Sequence, residues 1–554
     1  MGSSGSAAKG ALPPAMRWWG WGDPNHPSSL PPHALQFLRE TVGLAPQPRP
    51  PVALGQVKLE PSTLSETLLA ELQQLVGSDG LATSHEQRVL HAAGKGYPDL
   101  VRLRAGEPEG APDAILYPQS HEQLRALLEL CARRSLAVVP FGGGTSVVGG
   151  VAPMRGEHSG VLALDMARMA ALLELDRESR TVSVQGGMRA PALERQLAGE
   201  GLTLGHFPQS FEYVSLGGCA ATRSAGQASS GYGAIAKMVG GLRLAAPAAE
   251  INLPAVPASA AGPDLRGLLV GSEGTLGVIS ELSLRVRAAP QERIYEGLFF
   301  ENLAAGTQAL RTLAQEHVLP DVARLSDEAE TRMSLALAGS GGLKGRIGRA
   351  YLSTRRLSGG CLAIFGFEGS EQDVAQRRAR ALELARGCGA VRIGRSPGQA
   401  WLKGRFAAPY LRDDLLTQGV MVETLETAAQ WSRLLPTHER VARAIGAALD
   451  SCGTPGMVMC HISHVYETGA SLYFTFIARQ HEDDPLGQWA QVKQAASNAI
   501  LESGATITHH HAVGRDHLPW IERELGGASL QALRAVKHEL DPTGIMNPGK
   551  LLAL

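Results

Sequence analysis

The chain lacks the charge and cysteine patterns that would assign it to several common protein classes. Its 554 residues include 52 basic and 53 acidic side chains, so no net charge favours nucleic acid or an anionic membrane as a partner. The six cysteines form no C-x-x-C pair and show no metal-ligand spacing, which predicts reduced thiols in a cytoplasmic protein. Aromatic residues are only 5% of the chain, whereas 65 glycines and 33 prolines are typical of a loop-rich α+β enzyme.

Membrane spans and targeting signals are also lacking. The longest charge-free run, residues 135–154, has the length of a span, but Pro140, Pro153 and five glycines interrupt it. The first residues have neither a basic start nor an apolar core, so no secretory signal is predicted. Residues 1–15 have the composition of an expression linker, and the C-terminus is not a peroxisomal address.

The pattern of elements predicts an α+β chain of more than one domain, because 554 residues exceed a single core. Residues 16–112 are mostly helical in pattern, and residues 113–290 alternate strands and helices around three glycine-rich loops. Residues 291–554 form a second α+β domain, whose C-terminal tail is expected to return to the first. Within the first domain, residues 245–263 are rich in Ala and Pro and are expected to be irregular.

The first glycine-rich loop follows a predicted buried strand, Leu136–Val139, and a helix that should begin after Ser120 with Gln123 as capping-box partner. Successive glycines let consecutive N–H groups point into one concavity, which suits a pyrophosphate. The loop has neither Walker nor G-x-G-x-x-G spacing, and a plain glycine-rich turn is the alternative. The candidate cofactor-binding residues of this loop are Pro140, Phe141, Gly142, Gly143, Gly144, Thr145 and Ser146.

Two further loops lower the weight of the plain-turn alternative. The third loop is followed by residues 281–287, which alternate like a half-buried strand. The second loop offers Gln209, Ser210, Ser215, Thr222, Arg223, Ser224 and Ala225, and the third offers Glu273, Gly274, Thr275, Leu276, Gly277, Val278 and Ile279. Together the three loops resemble the flavin-binding (PCMH-type) domain of the vanillyl-alcohol oxidase superfamily, which implies that the first loop holds the pyrophosphate of FAD.

A run of three histidines, His509, His510 and His511, follows the β-rich residues 505–508. Adjacent residues on a strand point to opposite faces and cannot easily share one ion, so no metal site is predicted. A chance surface run is one alternative. Histidines at the reactive edge of a flavin, where neutral and charged forms are both accessible near neutral pH, are the favoured interpretation.

With these histidines the chain resembles the alkyldihydroxyacetonephosphate synthase family over nearly its whole length from Arg17. The matching segments are residues 17–22, 140–146, 205–206, 271–279, 323–327, 411–413, 423–427, 460–473 and 509–514. The resemblance implies that the acyl group of acyl-dihydroxyacetone phosphate is exchanged for a long-chain fatty alcohol. It also implies that the exchange passes through a flavin N5 adduct and involves no net redox change.

The resemblance also implies roles for individual residues. Arg412 would bind the phosphate, Tyr473 would act as acid and base together with His509, His510 and His511, and Arg324 would support activity or the FAD site. Each has a simpler alternative: Arg412 could be a solvated helix charge, and Tyr473 could be a core residue with a satisfied hydroxyl. A homodimer is expected. The tryptophans 18, 19 and 21 would either pack near an acyl tunnel, which is favoured, or contact a membrane peripherally.

Several departures from the family pattern limit what can be carried over. Ala236 and Lys237 replace an acidic pair, and the tail 544–550 is nearer to the D-lactate and glycolate dehydrogenases. The first loop contains no histidine, so FAD is expected to be held noncovalently. An FAD-linked 2-hydroxy-acid dehydrogenase is therefore the alternative enzyme, and an inactive flavin-binding partner protein is the alternative of another class.

Overall fold

The computed structural model describes residues 16–23, 30–337 and 359–552. The predicted linker over residues 1–15 lies outside the described residues. Helices alternate with mostly antiparallel sheets, which is the predicted α+β class. Among the described residues, no helix is both long enough and apolar enough to cross a membrane.

The N-terminal region packs against the rest of the chain. The Trp21 side chain is only 4% exposed, and its backbone N–H donates to the Asp413 carboxylate at 2.9 Å. The Trp19 ring lies 5.0 Å from the guanidinium of Arg17 and 5.2 Å from that of Arg104. The helices of this region are Pro32–Thr41, Glu66–Val76, His85–Leu90 and Tyr97–Ala105.

The first sheet carries the first glycine-rich loop at the end of its strand β3. In the order β1-β2-β4-β3, only the β1–β2 pair is antiparallel. The predicted helix is present as His121–Arg134, and the Ser120 hydroxyl accepts from the Gln123 N–H at 3.1 Å. The Gln123 side-chain oxygen accepts from the N–H of Gln119, the residue before the N-cap, at 2.6 Å. The strands are β1 Leu81–Ala82, β2 Ala114–Leu116, β3 Leu136–Phe141 and β4 Gly160–Asp165.

The second sheet supports the other two loops. Its five strands are antiparallel in the order β5-β6-β10-β8-β9, and β7 pairs with β11 separately. The expectation that residues 245–263 are irregular is wrong in part, because β9 lies there and pairs with β8. The strands are β5 Leu172–Asp176, β6 Thr181–Gln185, β7 Leu202–Thr203, β8 Val239–Ala245, β9 Glu250–Leu253, β10 Val278–Arg285 and β11 Arg287–Ala288. The helices are Ala190–Ala198, Leu216–Ala221, Ser229–Tyr232, Ile235–Met238 and Leu265–Leu269.

The third sheet has seven antiparallel strands in the order β15-β12-β14-β13-β17-β18-β16. They are β12 Glu292–Phe300, β13 Val322–Ser326, β14 Cys361–Gly369, β15 Val391–Gly394, β16 Val420–Gln430, β17 Gly456–Ile462 and β18 Gly469–Arg479. The described helices of this part are Leu303–Gln315, Glu328–Leu337, Glu371–Gly387, Ser396–Gly404, Ala408–Thr417, Trp431–Ser451, Pro485–Glu502, Ile521–Leu525 and Gly527–Leu540.

The two faces of this third sheet have different roles. Phe474 and Phe476 are fully buried, and the His438 ring of helix Trp431–Ser451 stacks on Phe474 at 5.9 Å. Because side chains alternate along a strand, Tyr473 and Thr475 point to the opposite face. Tyr473 and Thr475 line the same cavity as the glycine-rich loops, so this second face is the one that faces the loops.

The C-terminal tail lies against the first sheet. Met546 forms a parallel bridge with Val138, whose N–H donates to the Ile545 carbonyl at 2.8 Å. The Asn547 N–H donates in turn to the Val138 carbonyl at 2.8 Å. The tail therefore extends the edge of the sheet beside β3, close to the first glycine-rich loop. The domain boundaries given above stay a prediction.

Candidate active site

A cavity of about 390 Å³ lies between the glycine-rich loops and the open face of the third sheet. All seven candidate residues of the first loop line this cavity. The backbone N–H groups of Gly143, Gly144 and Thr145 meet no acceptor within the part of the chain that the structure describes. Adjacent amides without an internal partner at the wall of a cavity are suited to bind an anion such as a pyrophosphate.

Close packing explains why glycine is needed in this loop. A Cβ atom on Gly143 would lie 2.3 Å from the carbonyl oxygen of Tyr213 in the second loop. Gly144 has a positive φ of 66°, and a Cβ there would lie 2.6 Å from the Phe141 ring. The first two loops are therefore in direct contact at Gly143, where a side chain would separate them, whereas a side chain at Gly144 would displace the Phe141 ring of the same loop.

Most candidate residues of the second and third loops also line the cavity: Gln209, Ser210, Ser215, Thr222, Ser224, Ala225, Glu273, Gly274, Gly277, Val278 and Ile279. Arg223, Thr275 and Leu276 do not line it. The Arg223 guanidinium donates to the carbonyl of Val270, the Thr275 hydroxyl donates to the carbonyl of Ser272, and Leu276 lies in the core. These three side chains lie away from the cavity and stabilise the loops through contacts with their backbone and with the core.

The loops offer the hydrogen-bond donors that the phosphate part of FAD requires, namely backbone amides and the hydroxyls of Thr145, Ser146 and Ser210. They do not have the spacing of a Walker loop. Glu273 is a buried carboxylate at this wall. Its oxygens accept from the Val513 N–H at 2.8 Å and the Gly514 N–H at 2.7 Å. Burial raises its pKa to about 7, so its charge is partly suppressed beside a ligand that carries phosphates. The residues present therefore fit FAD.

Strand register brings polar side chains together on the sheet face opposite the loops. Tyr473 of β18 lies directly across from His461 of β17 and Glu426 of β16. The His461 ring stacks on Tyr473 at 4.8 Å, and its Nδ1 lies 3.0 Å from Nη2 of Arg324. The same Nη2 atom donates to Glu330 at 2.6 Å. Arg324, Tyr473 and His461 all line the cavity, so Tyr473 is not a core residue.

The Arg412 guanidinium influences the pKa of the Tyr473 phenol. Burial raises the pKa of Tyr473, while a hydrogen bond with Thr424 and the positive charge of Arg412 oppose the increase. Arg412 is only 7% exposed and lines the cavity, so the alternative of a solvated helix charge is wrong. Its Nη1 donates to the Lys95 carbonyl at 2.9 Å, and its Nη2 lies 3.6 Å from Glu423.

The histidines lie on an irregular loop, and the predicted strand at residues 505–508 is wrong. A buried carboxylate on β16, Glu426, takes the place of a partner strand. It accepts hydrogen bonds from the Thr508 hydroxyl and from the backbone N–H groups of His509, His510 and His511. The loop is therefore folded around one side chain, which β-propensity alone could not indicate.

The three imidazoles occupy two layers. His510 and His511 line the cavity, whereas His509 lies behind them. The Nδ1 atoms of His509 and His510 are 2.9 Å apart, and Nε2 of His509 bonds to the Tyr466 hydroxyl at 2.6 Å. Burial lowers the pKa of all three imidazoles and the charge of Glu426 opposes it, which leaves them uncharged near neutral pH.

The loop geometry also removes the argument made above against a shared metal ion. Ligand atoms of His464, His509 and His510 lie within 4.8 Å of one another, which residues on a strand could not achieve. The absence of a metal stays a prediction, which metal analysis of the purified protein would test.

Several residues of this site were not singled out from the sequence. They are Glu330, Glu426, His461, His464 and Tyr466. His461, His464 and Tyr466 fall within the matching segment 460–473, so their side chains could have been found there. Glu426 falls within the matching segment 423–427, and a carboxylate in a buried strand needs partners, so it could have been suspected there as well.

Comparisons with known proteins agree with this arrangement. A family model described as "FAD binding domain" matches residues 112–252, and one described as "FAD linked oxidases, C-terminal domain" matches residues 289–551. An alkyldihydroxyacetonephosphate synthase of Trypanosoma brucei brucei is 32% identical, covering 97% of this chain and 92% of that protein. A solved structure of an alkyldihydroxyacetonephosphate synthase matches with a TM-score of 0.84 at 30% identity, covering 97% of this chain and 99% of that one.

The 2-hydroxy-acid dehydrogenase branch is more distant. The glycolate oxidase subunit GlcD of Bacillus subtilis is 25% identical over 80% of this chain. The predicted flavin-binding fold and the FAD cofactor are confirmed by the family models and the solved structure. With its loops, its histidines and a relative of 32% identity over nearly the whole length, the chain belongs to the alkyldihydroxyacetonephosphate synthase family of FAD-dependent enzymes.

Proposed function

We propose that the enzyme exchanges the acyl group of acyl-dihydroxyacetone phosphate for a long-chain fatty alcohol and so forms the ether bond of an ether-lipid precursor. The observation that carries this proposal is the position of Arg412. A buried cation lines the same cavity as Tyr473 and four histidines (461, 464, 510 and 511), and the cavity is closed on its other side by the flavin loops. A substrate with a phosphate at one end and a reacting carbon near the flavin fits this order of groups.

Arg412 is suited to bind the phosphate. The Lys95 carbonyl and the Glu423 carboxylate hold two of its nitrogens, which fixes the plane of the guanidinium. The N–H groups that remain can donate to phosphate oxygens as a fork, a geometry that an ammonium cannot reproduce. Trp21, Leu415 and Val422 line the cavity nearby and offer apolar surface for the two long chains.

Tyr473 is suited to move a proton at the substrate carbon. Its phenol lines the cavity, with His461 stacked on one side and the His511 ring edge-on at 5.4 Å. The Arg324–Glu330 pair holds the His461 ring in place, so the ring that stacks on Tyr473 is fixed. FAD, when bound in its reduced form, supplies the nucleophilic ring nitrogen for an exchange that involves no net redox change.

Incubation with acyl-dihydroxyacetone phosphate and labelled hexadecanol tests the proposal. We expect labelled ether product and one equivalent of fatty acid, with no loss of flavin absorbance. An enzyme that makes no ether but is bleached by D-lactate would instead be a 2-hydroxy-acid dehydrogenase. An enzyme that does neither would favour a flavin-binding partner protein.

Two finer parts of the proposal concern assembly and location. The enzyme is expected to be a homodimer, and peripheral contact with a membrane surface is the less favoured alternative to packing of the tryptophans 18, 19 and 21. Light scattering at several protein concentrations tests the first, and flotation with phospholipid vesicles tests the second.

A further inference from the structure

The histidine loop is organised by a single buried side chain. Glu426 is 0% exposed, and one of its oxygens, Oε1, accepts from the Thr508 hydroxyl at 2.6 Å, the His510 N–H at 3.1 Å and the His511 N–H at 2.8 Å. The His509 N–H donates to the same carboxylate. Three successive backbone amides that converge on one anion form a nest, the arrangement that proteins otherwise use for phosphates.

A carboxylate is the group that this geometry requires. A glutamine at the same position would keep one accepting oxygen for Thr508, His510 and His511, but its NH₂ group is a donor and would face the His509 N–H, which bonds to the second oxygen, Oε2, of Glu426. A buried polar group left without partners is unfavourable, so the loop would rearrange rather than keep such a contact.

The same carboxylate is the nearest negative charge to the imidazoles at the cavity. Nδ1 of His510 lies 3.7 Å from one oxygen of Glu426, and Nδ1 of His511 lies 3.8 Å from the other. The other groups that influence these two rings have opposing effects. Lys493, Arg412, His461 and His509 disfavour a further positive charge there, and Glu423 favours it.

We propose that Glu426 is the positioning residue of the histidine loop: it fixes the imidazoles of His510 and His511 at the cavity and balances the proton that they take up. The second half of this assignment rests on the proposed function. In that exchange the alcohol loses its O–H proton as the ether bond forms, and the acyl group leaves as a carboxylate. One proton must therefore leave the site in each turnover.

The contacts provide a route for that proton. An imidazolium beside Glu426 is a neutral pair, so the proton can reside there without placing a net charge in a buried site. From His510 it can pass to Nδ1 of His509, 2.9 Å away, and from Nε2 of His509 to the Tyr466 hydroxyl at 2.6 Å. Glu426 itself touches no cavity surface and acts only through the histidines.

Hydrogen–deuterium exchange tests, without any substrate, the proposal that Glu426 positions the histidine loop. In the FAD-loaded enzyme the amides of His509, His510 and His511 should exchange slowly, and Glu426→Gln should accelerate them at least about tenfold, as expected when bonds worth about 1.4 kcal/mol are lost. The Val513 and Gly514 amides, which bond to Glu273, provide an internal control that should change less. Glu423→Gln is the matched control, because it neutralises a buried carboxylate on the same strand that bonds to Trp489 instead of to the loop.

The proposal that the charge of Glu426 balances a proton on the histidines is tested by carbethoxylation of the histidines, mapped by mass spectrometry as a function of pH. Diethyl pyrocarbonate modifies neutral imidazoles, so the midpoint of modification at residues 509–511 reports their protonation whether or not the enzyme makes an ether. Glu426→Gln should move this midpoint to lower pH. Glu426→Asp keeps the charge but shortens its reach, so it should accelerate amide exchange while leaving the midpoint closer to that of the wild type.

The positioning role and the charge role of Glu426 can be contradicted separately. Unchanged exchange at residues 509–511 in Glu426→Gln would overturn the positioning role, and an unchanged midpoint would overturn the charge role. If both change but the wild type makes no ether, the proposed function fails while the assignment of Glu426 stands.

Discussion

Arg412 and Glu423 approach to 3.6 Å across the junction between helix Ala408–Thr417 and strand β16, and both side chains are buried. The Trp489 indole N–H donates to the other oxygen of Glu423 at 2.7 Å. The carboxylate is thus held from two sides, and it holds the guanidinium in turn. A cation fixed in this way is ready to receive an anionic group in the cavity.

Arg412→Lys should weaken the use of substrate and leave the flavin spectrum intact. The ammonium cannot bond to the Lys95 carbonyl, Glu423 and a phosphate in the same fork geometry. Loss of one charge-assisted hydrogen bond of about 1.5–3 kcal/mol should raise KM for acyl-dihydroxyacetone phosphate by about 10- to 100-fold, with a smaller effect on kcat. Arg440→Lys, at an exposed pair with Glu502, is the control. An unchanged KM would remove Arg412 from the phosphate site.

Tyr473→Phe should lower the rate of turnover, whereas Arg412→Lys should mainly weaken substrate binding. If the phenol passes a proton at the substrate carbon, its loss should lower kcat by about 10²- to 10⁴-fold, the usual range for a general acid or base, and leave KM nearly unchanged. Tyr117→Phe removes a phenol that bonds to Gln87 and does not line the cavity, so it should keep wild-type activity. Turnover of Tyr473→Phe at the wild-type rate would show that the assigned role is wrong.

Gly143→Ala should abolish flavin binding, and Gly143→Asp should do the same. The charge of an aspartate opposes a pyrophosphate, but the structure gives a second reason: any Cβ at this position lies 2.3 Å from the Tyr213 carbonyl oxygen. Gly446→Ala is the matched control, since nothing lies within 4 Å of the added atom. That change lies inside helix Trp431–Ser451, where it should stabilise the protein by up to about 1 kcal/mol and leave the flavin content unaltered. The ratio of flavin to protein absorbance is the measurement.

The difference between what could and could not be predicted follows the distance over which residues interact. The first glycine-rich loop was recognisable because close backbone approach restricts its residue types locally. Residues 505–508 are predicted to form a strand because Thr506, Ile507 and Thr508 favour β-structure, but the structure has an irregular loop there. Its actual partner is Glu426, 82 residues from Thr508 along the chain, and no local pattern connects the two. The strand Glu250–Leu253 differs from its prediction for another reason: it pairs with its sequence neighbour β8 in a hairpin, and this pairing outweighs the Ala- and Pro-rich composition of the region.

FAD should be released when the enzyme is precipitated with acid. The first loop has no histidine, and the one cysteine at the cavity, Cys219, is a buried thiol whose pKa burial raises to about 12. Such a thiol is not ionised near neutral pH and is a poor nucleophile toward the flavin ring. We therefore expect yellow cofactor in the supernatant and colourless protein in the pellet. Flavin that stays with the pellet after washing would mean that a covalent link exists.

The dependence of kcat/KM on pH should show an acid limb below 6.5, the ordinary pKa of histidine. Burial lowers the pKa of His510 and His511, so the neutral imidazoles that can accept a proton persist to lower pH than free histidine would allow. A loss of activity caused by unfolding at low pH must be distinguished from this acid limb. His206 and His517 are buried, and burial lowers their pKa to about 4 and about 3. A histidine with a depressed pKa contributes stability that is complete above 6.5 and is lost as pH falls toward the folded value. Tm measured in the same buffers gives the pH at which the fold weakens, and the rates are compared only above it. An acid limb with its midpoint above 6.5 in the folded enzyme would contradict the neutral, buried histidine cluster.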